Sequence, residues 1–392
     1  MRILEVNKFY YPRRGAERHF LDLIALLESH GHEVAVFAMD DPRNVSGKYA
    51  KYAVSAVGYN RDDSTRWQRI VGIGRLFWSF EARAKMRALL DEFRPDIVHI
   101  HNAYHQLSLS FLPVIRRRGV PIMQTVHDYH LISPDKDEYH SSVGRAYWKF
   151  LFVPKYGFGK RLLLVLKSYW ERLWGFRDMV DVYIAPSRFV EETLVRGGIP
   201  GSKITVIPHF ISSSPAVVSE AEPSEPYALY FGGITEEKNI RELAAIFEKL
   251  RFRLVLAGSR RMDIPQGPYV DSVGEKTEDE LKALIAGSSF VVSASRLPET
   301  FGLIVLEANI QGKPFLGYRT GAFPELVDND RNGWLAVNKG EFELFVTRFV
   351  KGEMRAMEPE VIRRAVLEKY GADTYLGKFS SIVRSIRRSE SA

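Results

Sequence analysis

The chain has 392 residues, of which 45% are hydrophobic and 26% are charged, the composition of an ordinary globular protein. A fibrous, collagen-like or mainly disordered chain is therefore excluded, and the length predicts two or three domains. No apolar run approaches the roughly 20 residues that span a bilayer, and charges in the first residues argue against a signal peptide. The chain contains no cysteine, which excludes disulfides and thiolate chemistry and fits a cytoplasmic protein.

Strand-length apolar runs alternate with segments of helical period, which predicts parallel sheets with crossover helices. A stretch rich in Ser, Pro and Glu separates two such halves. We predict two doubly wound α/β domains facing a cleft: residues 1–210, a linker at 211–226 and residues 227–359, with a C-terminal helix at 360–392 packing on the first domain. The predicted strands are 2–6, 33–38, 96–101, 121–125, 182–185, 204–208, 227–231, 253–257, 290–293, 315–318 and 334–337.

The net charge of +7 is concentrated in the first half, where residues 1–210 hold 31 Lys and Arg against 22 Asp and Glu. Such asymmetry is typical of a domain that meets an anionic surface, although a basic domain without a partner fits it equally well. Fingerprints of other enzyme classes are absent from the sequence. It contains no Walker-type P-loop and no G-x-S-x-G, and Gly72-Ile-Gly74 lacks the third glycine of a dinucleotide fingerprint.

Five histidines cluster at the ends of two predicted strands: His99, His101, His105, His127 and His130. The alternate spacing of His99 and His101 puts both rings on one face of a strand, which suits a metal. Histidines at such positions also line cores and ligand sites. We expect one of them to contact a bound polar ligand, and we predict no metal.

Two glutamates, Glu299 and Glu307, are separated by seven residues in the second half. Residues 298–302 are predicted as a loop and 303–311 as the helix that follows it. Backbone amides at the start of this helix would face a diphosphate, and the two carboxylates could accept hydrogen bonds from sugar hydroxyls at either end. The spacing alone also fits ordinary surface glutamates.

An ordered set of motifs along most of the chain resembles glycosyltransferase family 4, a retaining family with the two-domain GT-B fold and an E-x7-E signature. Glu299 and Glu307 match that signature. The other matching motifs are, in order, NKFYYPRRGAER, IVHIHN, TVHDYHLISP, IAPSRFV, ITVIPHF, YFGGITEEKNI, GKPFLGYRTGAFPELV and NGWL.

The resemblance implies that residues 1–210 form the acceptor-side domain and residues 227–359 the domain that binds the nucleotide sugar. It also implies roles for the residues that match these motifs. Glu299 is expected to contact the hydroxyls of the donor sugar, and Glu307 the hydroxyls of the ribose. Lys238 is expected to bind the donor diphosphate and stabilise the leaving group. His127 is expected to contact the sugar near the reacting centre. Backbone at Gly15, Phe301, Gly302 and Leu303 is expected to approach the phosphate or sugar.

Two positions depart from the family pattern. The family commonly has Arg after the first glycine of the phosphate loop, where this chain has Gly233. One of two cations on the diphosphate is therefore missing, unless Arg260 or Arg261 replaces it. The usual Asn-Gly after Ile-Pro is replaced by His209-Phe210.

The resemblance predicts a retaining, metal-independent enzyme that needs no cofactor. It would transfer a sugar from a nucleotide-diphosphate sugar to a glycan or polyprenyl-linked acceptor in the assembly of cell-surface polysaccharide or lipopolysaccharide. Two alternatives remain: a sugar-nucleotide epimerase of the same fold, or a catalytically weak nucleotide-sugar or membrane-binding partner of a glycan assembly complex.

Residues 145–177 combine eight cations with one acid and ten aromatic side chains. This composition suits a segment that lies at a membrane surface, and predicts peripheral contact with the inner face of the plasma membrane. A core helix with solvated Lys and Arg fits it equally well. Basic and aromatic interleaving also suits single-stranded nucleic acid, but the surplus lies in one segment and no RNA-binding motif is present, so we predict no nucleic acid.

Overall fold

The computed structural model describes residues 1–13, 15–56, 66–137, 139, 143–212, 225–264 and 267–390, with the backbone alone at 66–71 and 387–390. The chain divides into two compact units. Unit 1 comprises Met1–Ile207 and Gly377–Ala392, and unit 2 comprises Pro208–Leu376. Most of the predicted linker, 213–224, lies outside the described residues.

Unit 1 is built on a six-stranded parallel sheet with the order β2-β1-β3-β4-β5-β6. Its strands are β1 (Arg2–Val6), β2 (Glu33–Phe37), β3 (Ile97–Ile100), β4 (Ile122–Thr125), β5 (Val182–Ala185) and β6 (Ile204–Val206). Its helices are α1 (Gly15–Ser29), α2 (Arg66–Phe77), α3 (Phe80–Phe93), α4 (Leu112–Arg116), α5 (Phe158–Leu173) and α6 (Arg188–Arg196). Short 3-10 turns connect several of them.

Unit 2 is built on a second six-stranded parallel sheet with the order β12-β11-β10-β7-β8-β9. Its strands are β7 (Tyr227–Phe231), β8 (Arg253–Ala257), β9 (Val270–Gly274), β10 (Phe290–Ser293), β11 (Phe315–Tyr318) and β12 (Gly333–Ala336). Its helices are α7 (Ile240–Leu250), α8 (Glu278–Gly287), α9 (Leu303–Ile310), α10 (Phe323–Leu326), α11 (Lys339–Val350) and α12 (Pro359–Tyr370). The last helix, α13 (Ala372–Glu390), begins in unit 2 and ends in unit 1.

The central strands are buried on both faces, as expected when helices cover both sides of a parallel sheet. Every residue of the central strands β3, β4, β7, β10 and β11 is buried, and so is every residue of the edge strand β12. Helix starts are set by side chains that accept the first backbone amides. Ser79, Ser187, Thr277 and Asn338 do so for α3, α6, α8 and α11.

Two elements differ from the sequence-based expectation. The edge strand β9 was not predicted, because its residues are half-buried and include Asp271 and Ser272, so they form no apolar run. The C-terminal segment is two helices instead of one, since the chain turns at Gly371, where a Cβ would lie 2.5 Å from the carbonyl oxygen of Leu367. Within the described residues, no helix has both the length and the hydropathy needed to span a bilayer.

Candidate functional site

The candidate site in unit 2 lies where the strand order of its sheet reverses. β7 has β8 on one side and β10 on the other, and the chain continues from β10 to β11, away from β7. In doubly wound sheets, ligands bind beyond the carboxyl ends of the strands at such a reversal. Lys238 lies on the connection after β7, and Glu299 lies on the connection after β10.

Lys238 and Glu299 meet at this position. The ammonium group of Lys238 forms an ion pair with Glu299 Oε1, and both side chains are partly exposed. Ser295 Oγ lies 3.4 Å from the same carboxylate oxygen. Burial, followed by the negative charge of Glu299, raises the pKa of Tyr230 above its ordinary value. The structure therefore brings together one cation and one carboxylate that the family resemblance assigns to the donor diphosphate and the donor sugar.

The loop after β7 is fixed by a close backbone approach. Gly232 has φ +132° and Gly258, after β8, has φ +145°, conformations that side chains rarely adopt. A Cβ on Gly258 would lie 1.8 Å from the carbonyl oxygen of Gly232. The amide of Ile234 donates to the carbonyl of Ser259 over 3.0 Å. These contacts set the start of the turn that carries Lys238.

The backbone of Glu299 is held by the segment that follows β11. The amide of Ala322 donates to the carbonyl of Glu299 over 2.9 Å. A Cβ on Gly321 would lie 2.4 Å from both the amide nitrogen and the carbonyl oxygen of Glu299. The residue at 321 must therefore be glycine for the two segments to approach this closely.

The residues after Glu299 lead into α9. Phe301 is buried, with its ring 5.0 Å from the ring of His209 and 6.1 Å from that of Tyr370. Gly302 has φ +103° and is the cap residue of α9. Leu303 begins the helix and Glu307, which is half-buried, lies one turn further on. The four predicted residues from Phe301 to Glu307 thus lie on one continuous loop and helix.

The structure shows how Arg260 and Arg261 are placed relative to the role of the arginine that Gly233 replaces. Arg260, after β8, donates to the carbonyl of Met262 over 3.1 Å and to Asp263 Oδ1 over 3.1 Å. Its guanidinium is therefore engaged within its own turn. Arg261 is exposed on the same turn. Gly233 itself has room for a side chain, since its Cβ would meet only Thr235 Cγ2, at 3.7 Å.

A second group of predicted residues lies at the strand reversal of unit 1, between β1 and β3. Strand register pairs Glu5 of β1 with His99 of β3. Glu5 is fully buried and its two carboxylate oxygens each contact one ring, Nδ1 of His99 at 3.0 Å and Nε2 of His101 at 3.0 Å. His99 Nε2 lies 2.8 Å from Thr125 Oγ1, and His101 Nδ1 lies 2.8 Å from His127 Nε2. Five side chains thus form one hydrogen-bonded chain that ends at His127.

These hydrogen bonds determine which ring nitrogens carry protons. A carboxylate only accepts hydrogen bonds, so the nitrogens of His99 and His101 that face Glu5 must donate. Burial holds the pKa of His101 well below its usual range, so this ring is neutral and its Nδ1 can only accept. His127 must then donate from Nε2. Glu5 is therefore a positioning residue, which acts on His127 through His101.

Glu5, His99 and His101 are also the one group among the described residues whose ligand atoms could converge on a metal ion. Two histidines and a carboxylate can bind transition metals. Here, however, both carboxylate oxygens and all four ring nitrogens are within hydrogen-bonding distance of another side chain. The donor set is therefore satisfied by its own hydrogen bonds, and the expectation of no metal stays a prediction.

The proton arrangement can be tested by ¹⁵N NMR of labelled histidine, which distinguishes the two neutral forms of an imidazole. We expect His127 to carry its proton on Nε2 in the unmodified protein. His101→Phe removes the acceptor and should leave His127 as a mixture of both forms. His99→Phe is the matched control, because it removes an equally buried ring but leaves the contact between His101 and His127. Equal effects of the two substitutions on the proton position of His127 would contradict this hydrogen-bond arrangement.

Asp128, next to His127, gives a pH-dependent prediction. Burial raises the pKa of Asp128 to about 6, against the smaller opposing effect of Lys8. A folded-state pKa above the unfolded value means that the ionised form destabilises the fold, and this cost is fully present above pH 6. Asp128→Asn keeps an acceptor for the amide of His130, which bonds Asp128 Oδ1 over 3.1 Å. We expect the free energy of unfolding of this variant to exceed that of the wild type by about 1–2 kcal/mol at pH 8.

The advantage of Asp128→Asn should largely disappear by about pH 4, where the wild-type carboxyl is protonated in the folded state and about half protonated in the unfolded state. Chemical denaturation at pH 4 and pH 8 measures both values. An equal difference between the variant and the wild type at the two pH values would contradict the raised pKa.

Gly15 begins α1, in the loop after β1, and is exposed. The sequence-based prediction missed Glu5, although one signal was present: a lone carboxylate inside the apolar strand RILEV. The roles assigned to Gly15, His127, Lys238, Glu299, Phe301, Gly302, Leu303 and Glu307 remain predictions.

Comparison with known proteins identifies the family. The model described as Glycosyltransferase Family 4 matches residues 13–214, and that described as Glycosyl transferases group 1 matches residues 225–351. Sulfoquinovosyl transferase SQD2 of Arabidopsis thaliana is 23% identical over 88% of this chain, which spans 64% of that relative's length. Two solved structures share the fold. Sucrose-phosphate synthase from Thermosynechococcus elongatus has a TM-score of 0.66 and 18% identity, covering 99% of this chain and 98% of that one.

The other solved structure is Anabaena HepE in complex with UDP and glucose, with a TM-score of 0.65 and 15% identity, covering 98% of this chain and 100% of that one. The two six-stranded parallel sheets and these likenesses confirm the predicted GT-B fold of two Rossmann-like domains. The family model of the first half alone matches more than half of the chain. The chain belongs to glycosyltransferase family 4.

Proposed function

We propose that the protein is a glycosyltransferase that moves a sugar from a nucleotide-diphosphate sugar to a glycan or lipid-linked acceptor. The observation that carries this proposal is the contact between Lys238 and Glu299 at the strand reversal of unit 2. A cation beside a carboxylate matches the two parts of such a donor, a charged diphosphate and a sugar rich in hydroxyl groups. The UDP and glucose of the HepE complex support a donor of this class.

The reaction requires the protein to neutralise the negative charge that develops on the departing diphosphate. The bond between the anomeric carbon and the diphosphate breaks, the acceptor oxygen bonds to that carbon, and the departing diphosphate takes the proton of the acceptor hydroxyl. Lys238 would meet the charge that develops on the departing diphosphate. Glu299 would accept hydrogen bonds from the sugar hydroxyls and hold the ring in place. We propose that the reaction retains the anomeric configuration and requires no metal.

A direct test incubates the protein with UDP-, GDP-, ADP- and TDP-sugars and measures the released nucleoside diphosphate, with and without a lipid extract as the acceptor source. The proposal predicts release with one donor, enhanced by an acceptor and unaffected by EDTA. ¹H NMR of the product distinguishes retention from inversion. Turnover of a nucleotide sugar into its epimer would favour the epimerase alternative instead.

Gly233 gives a prediction about donor affinity. Gly233→Arg restores a cation at the position where the family commonly has one, and the open space around this residue admits a side chain. A hydrogen bond to a charged group contributes about 1.5–3 kcal/mol, so we expect the donor Kd to fall about tenfold or more. Titration calorimetry with the nucleoside diphosphate measures the change. Gly233→Ala, which adds bulk without charge, is the control and should bind as the wild type does.

We also propose that the protein works on the cytoplasmic side of a membrane, in the assembly of cell-surface polysaccharide or lipopolysaccharide. The basic surplus of residues 1–210 supports this location, since it lies in the half predicted to receive the acceptor. A polyprenyl-linked acceptor would be held at a membrane surface, so unit 1 would need to reach that surface.

A further inference from the structure

Helix α5 exposes an apolar stripe on its outer face. Large hydrophobic side chains at helical spacing have exposed fractions between 37% and 80%: Phe158, Leu162, Leu166, Tyr169 and Leu173. A helix on the surface of a globular protein normally turns such a stripe towards the core. The alternative of a core helix therefore does not fit these five residues, whereas Val165 of the same helix is buried.

The inner face of α5 carries charge. Lys167 and Glu171 are buried and form an ion pair with each other. His130 Nε2 lies 3.0 Å from Lys167 Nζ and 3.2 Å from Glu171 Oε2. Breaking a buried pair is costly, so this triad fixes the rotation of the helix. The apolar stripe is consequently held outward.

The exposed apolar surface extends beyond the helix. Trp148 and Phe152, on the 3-10 turn Tyr147–Phe152 that packs on α5, are both more than half exposed. An open groove of about 520 Å³ runs along the stripe. It is lined by Phe77, Leu166, Tyr169, Trp170 and Leu173.

Two polar atoms of this groove already have partners. Trp170 Nε1 donates to the carbonyl of Phe77 over 3.1 Å, and Tyr169 Oη accepts from the amide of Trp148 over 3.3 Å. The groove therefore offers an occupant mainly hydrocarbon contact. Contiguous exposed apolar surface of this kind marks an interaction site.

The exposed charges of residues 145–177 have one sign. Glu171 is the single acid of residues 145–177 and is buried against Lys167. Lys155 pairs with the buried Asp135 over 2.6 Å and is therefore committed to the fold. The exposed cations of the segment are Arg145, Lys149, Lys160 and Arg172. Cations around an apolar face are complementary to an anionic bilayer, in which phosphate groups lie above hydrocarbon.

We propose that the outer face of α5 inserts into an anionic lipid bilayer and that its groove takes one hydrocarbon chain of a lipid. The docking itself does not depend on transferase activity. Its benefit for catalysis rests on the proposed function, because it would hold unit 1 at the surface that carries a lipid-linked acceptor.

The absence of cysteine in the chain allows a direct test. Leu166→Cys and Leu344→Cys each create one labelling site, and the two leucines are equally exposed, at 51% and 52%. Each variant is labelled with a polarity-sensitive fluorophore and mixed with phosphatidylcholine vesicles, with or without phosphatidylglycerol. Insertion predicts a blue-shifted, brighter emission at position 166 with the anionic vesicles only. The label at position 344, on α11 of unit 2, should not respond.

Flotation with the same vesicles gives the second measurement. Leu173→Ser should weaken binding about tenfold or more, because buried apolar surface drives insertion, whereas Leu344→Ser should float as the wild type does. Added salt should lower binding, since exposed charges are screened. Neither assay contains a nucleotide sugar, so failure here leaves the donor proposal intact.

Three outcomes would contradict the proposal that the outer face of α5 docks on a bilayer. The first is a wild-type protein that does not float with anionic vesicles. The second is equal flotation of Leu173→Ser and the wild type. The third is a stable dimer in the absence of lipid that Leu166→Ser dissociates, which would assign the face to a second copy of the chain.

Discussion

Glu299→Gln is expected to lower kcat/KM by about 100-fold or more while leaving the fold intact. The substitution keeps the shape of the side chain but removes the charge that pairs with Lys238 and would accept hydrogen bonds from the donor sugar. Two hydrogen bonds to a charged group, at about 1.5–3 kcal/mol each, account for an effect of this size. The measurement is the rate of nucleoside diphosphate release at several donor concentrations.

The matched control for this prediction is Glu237→Gln. Glu237 is exposed and adjacent to Lys238 in sequence, on the short turn Glu236–Lys238, so its loss changes local charge without touching the pair. It should retain near wild-type activity. Lys238→Met should weaken binding of the nucleoside diphosphate itself, whereas Glu299→Gln should mainly affect the sugar. Full activity in either Glu299→Gln or Lys238→Met would remove the substituted residue from the site.

Gly321→Ala is expected to destabilise unit 2 and to impair donor binding. The added Cβ would lie 2.4 Å from the backbone of Glu299, and φ at this residue is +56°. Neither backbone segment can relieve such a contact without moving, so Glu299 must shift. We expect the free energy of unfolding to fall by about 3 kcal/mol or more, a size seen for overpacking combined with backbone strain.

Gly352→Ala separates the effect of backbone strain from the effect of the steric contact with Glu299. Gly352 has φ +72°, but a Cβ there would meet nothing within 4 Å. This variant therefore carries the backbone strain alone, about 1 kcal/mol, and should bind the donor normally. Chemical denaturation and nucleotide titration of both variants make the comparison. Equal losses of stability in the two variants would show that the backbone of Glu299 is not held by residue 321.

Much of the fold could be predicted from the sequence because buried parallel strands are continuous apolar runs. β7 and β10 could be placed on this basis, and β9 could not, since this edge strand is half-buried and includes polar residues such as Asp271. The loop and helix after Glu299 followed from the glycine and the apolar period that adjoin it. These are local features, which a sequence displays directly.

The features that the sequence did not reveal depend on long-range contacts. Glu5 and His101 are 96 positions apart in the sequence, and their contact exists only because β1 and β3 are neighbours. The rotation of α5 is similar. Its sequence has apolar and basic residues on both sides, and the buried contacts of Lys167 and Glu171 with His130 help to determine which side faces outward.

The most direct test of the central claim is thermal unfolding of the purified protein with UDP-, GDP-, ADP- and TDP-sugars, without added metal. A ligand at about 100 times its Kd stabilises the folded state by about 2.7 kcal/mol. The account predicts a rise in Tm with one nucleotide class, reduced in Lys238→Met and Glu299→Gln and preserved in Glu237→Gln. No rise with any nucleotide sugar at millimolar concentration, or an equal rise in all variants, would contradict a donor site at Lys238 and Glu299.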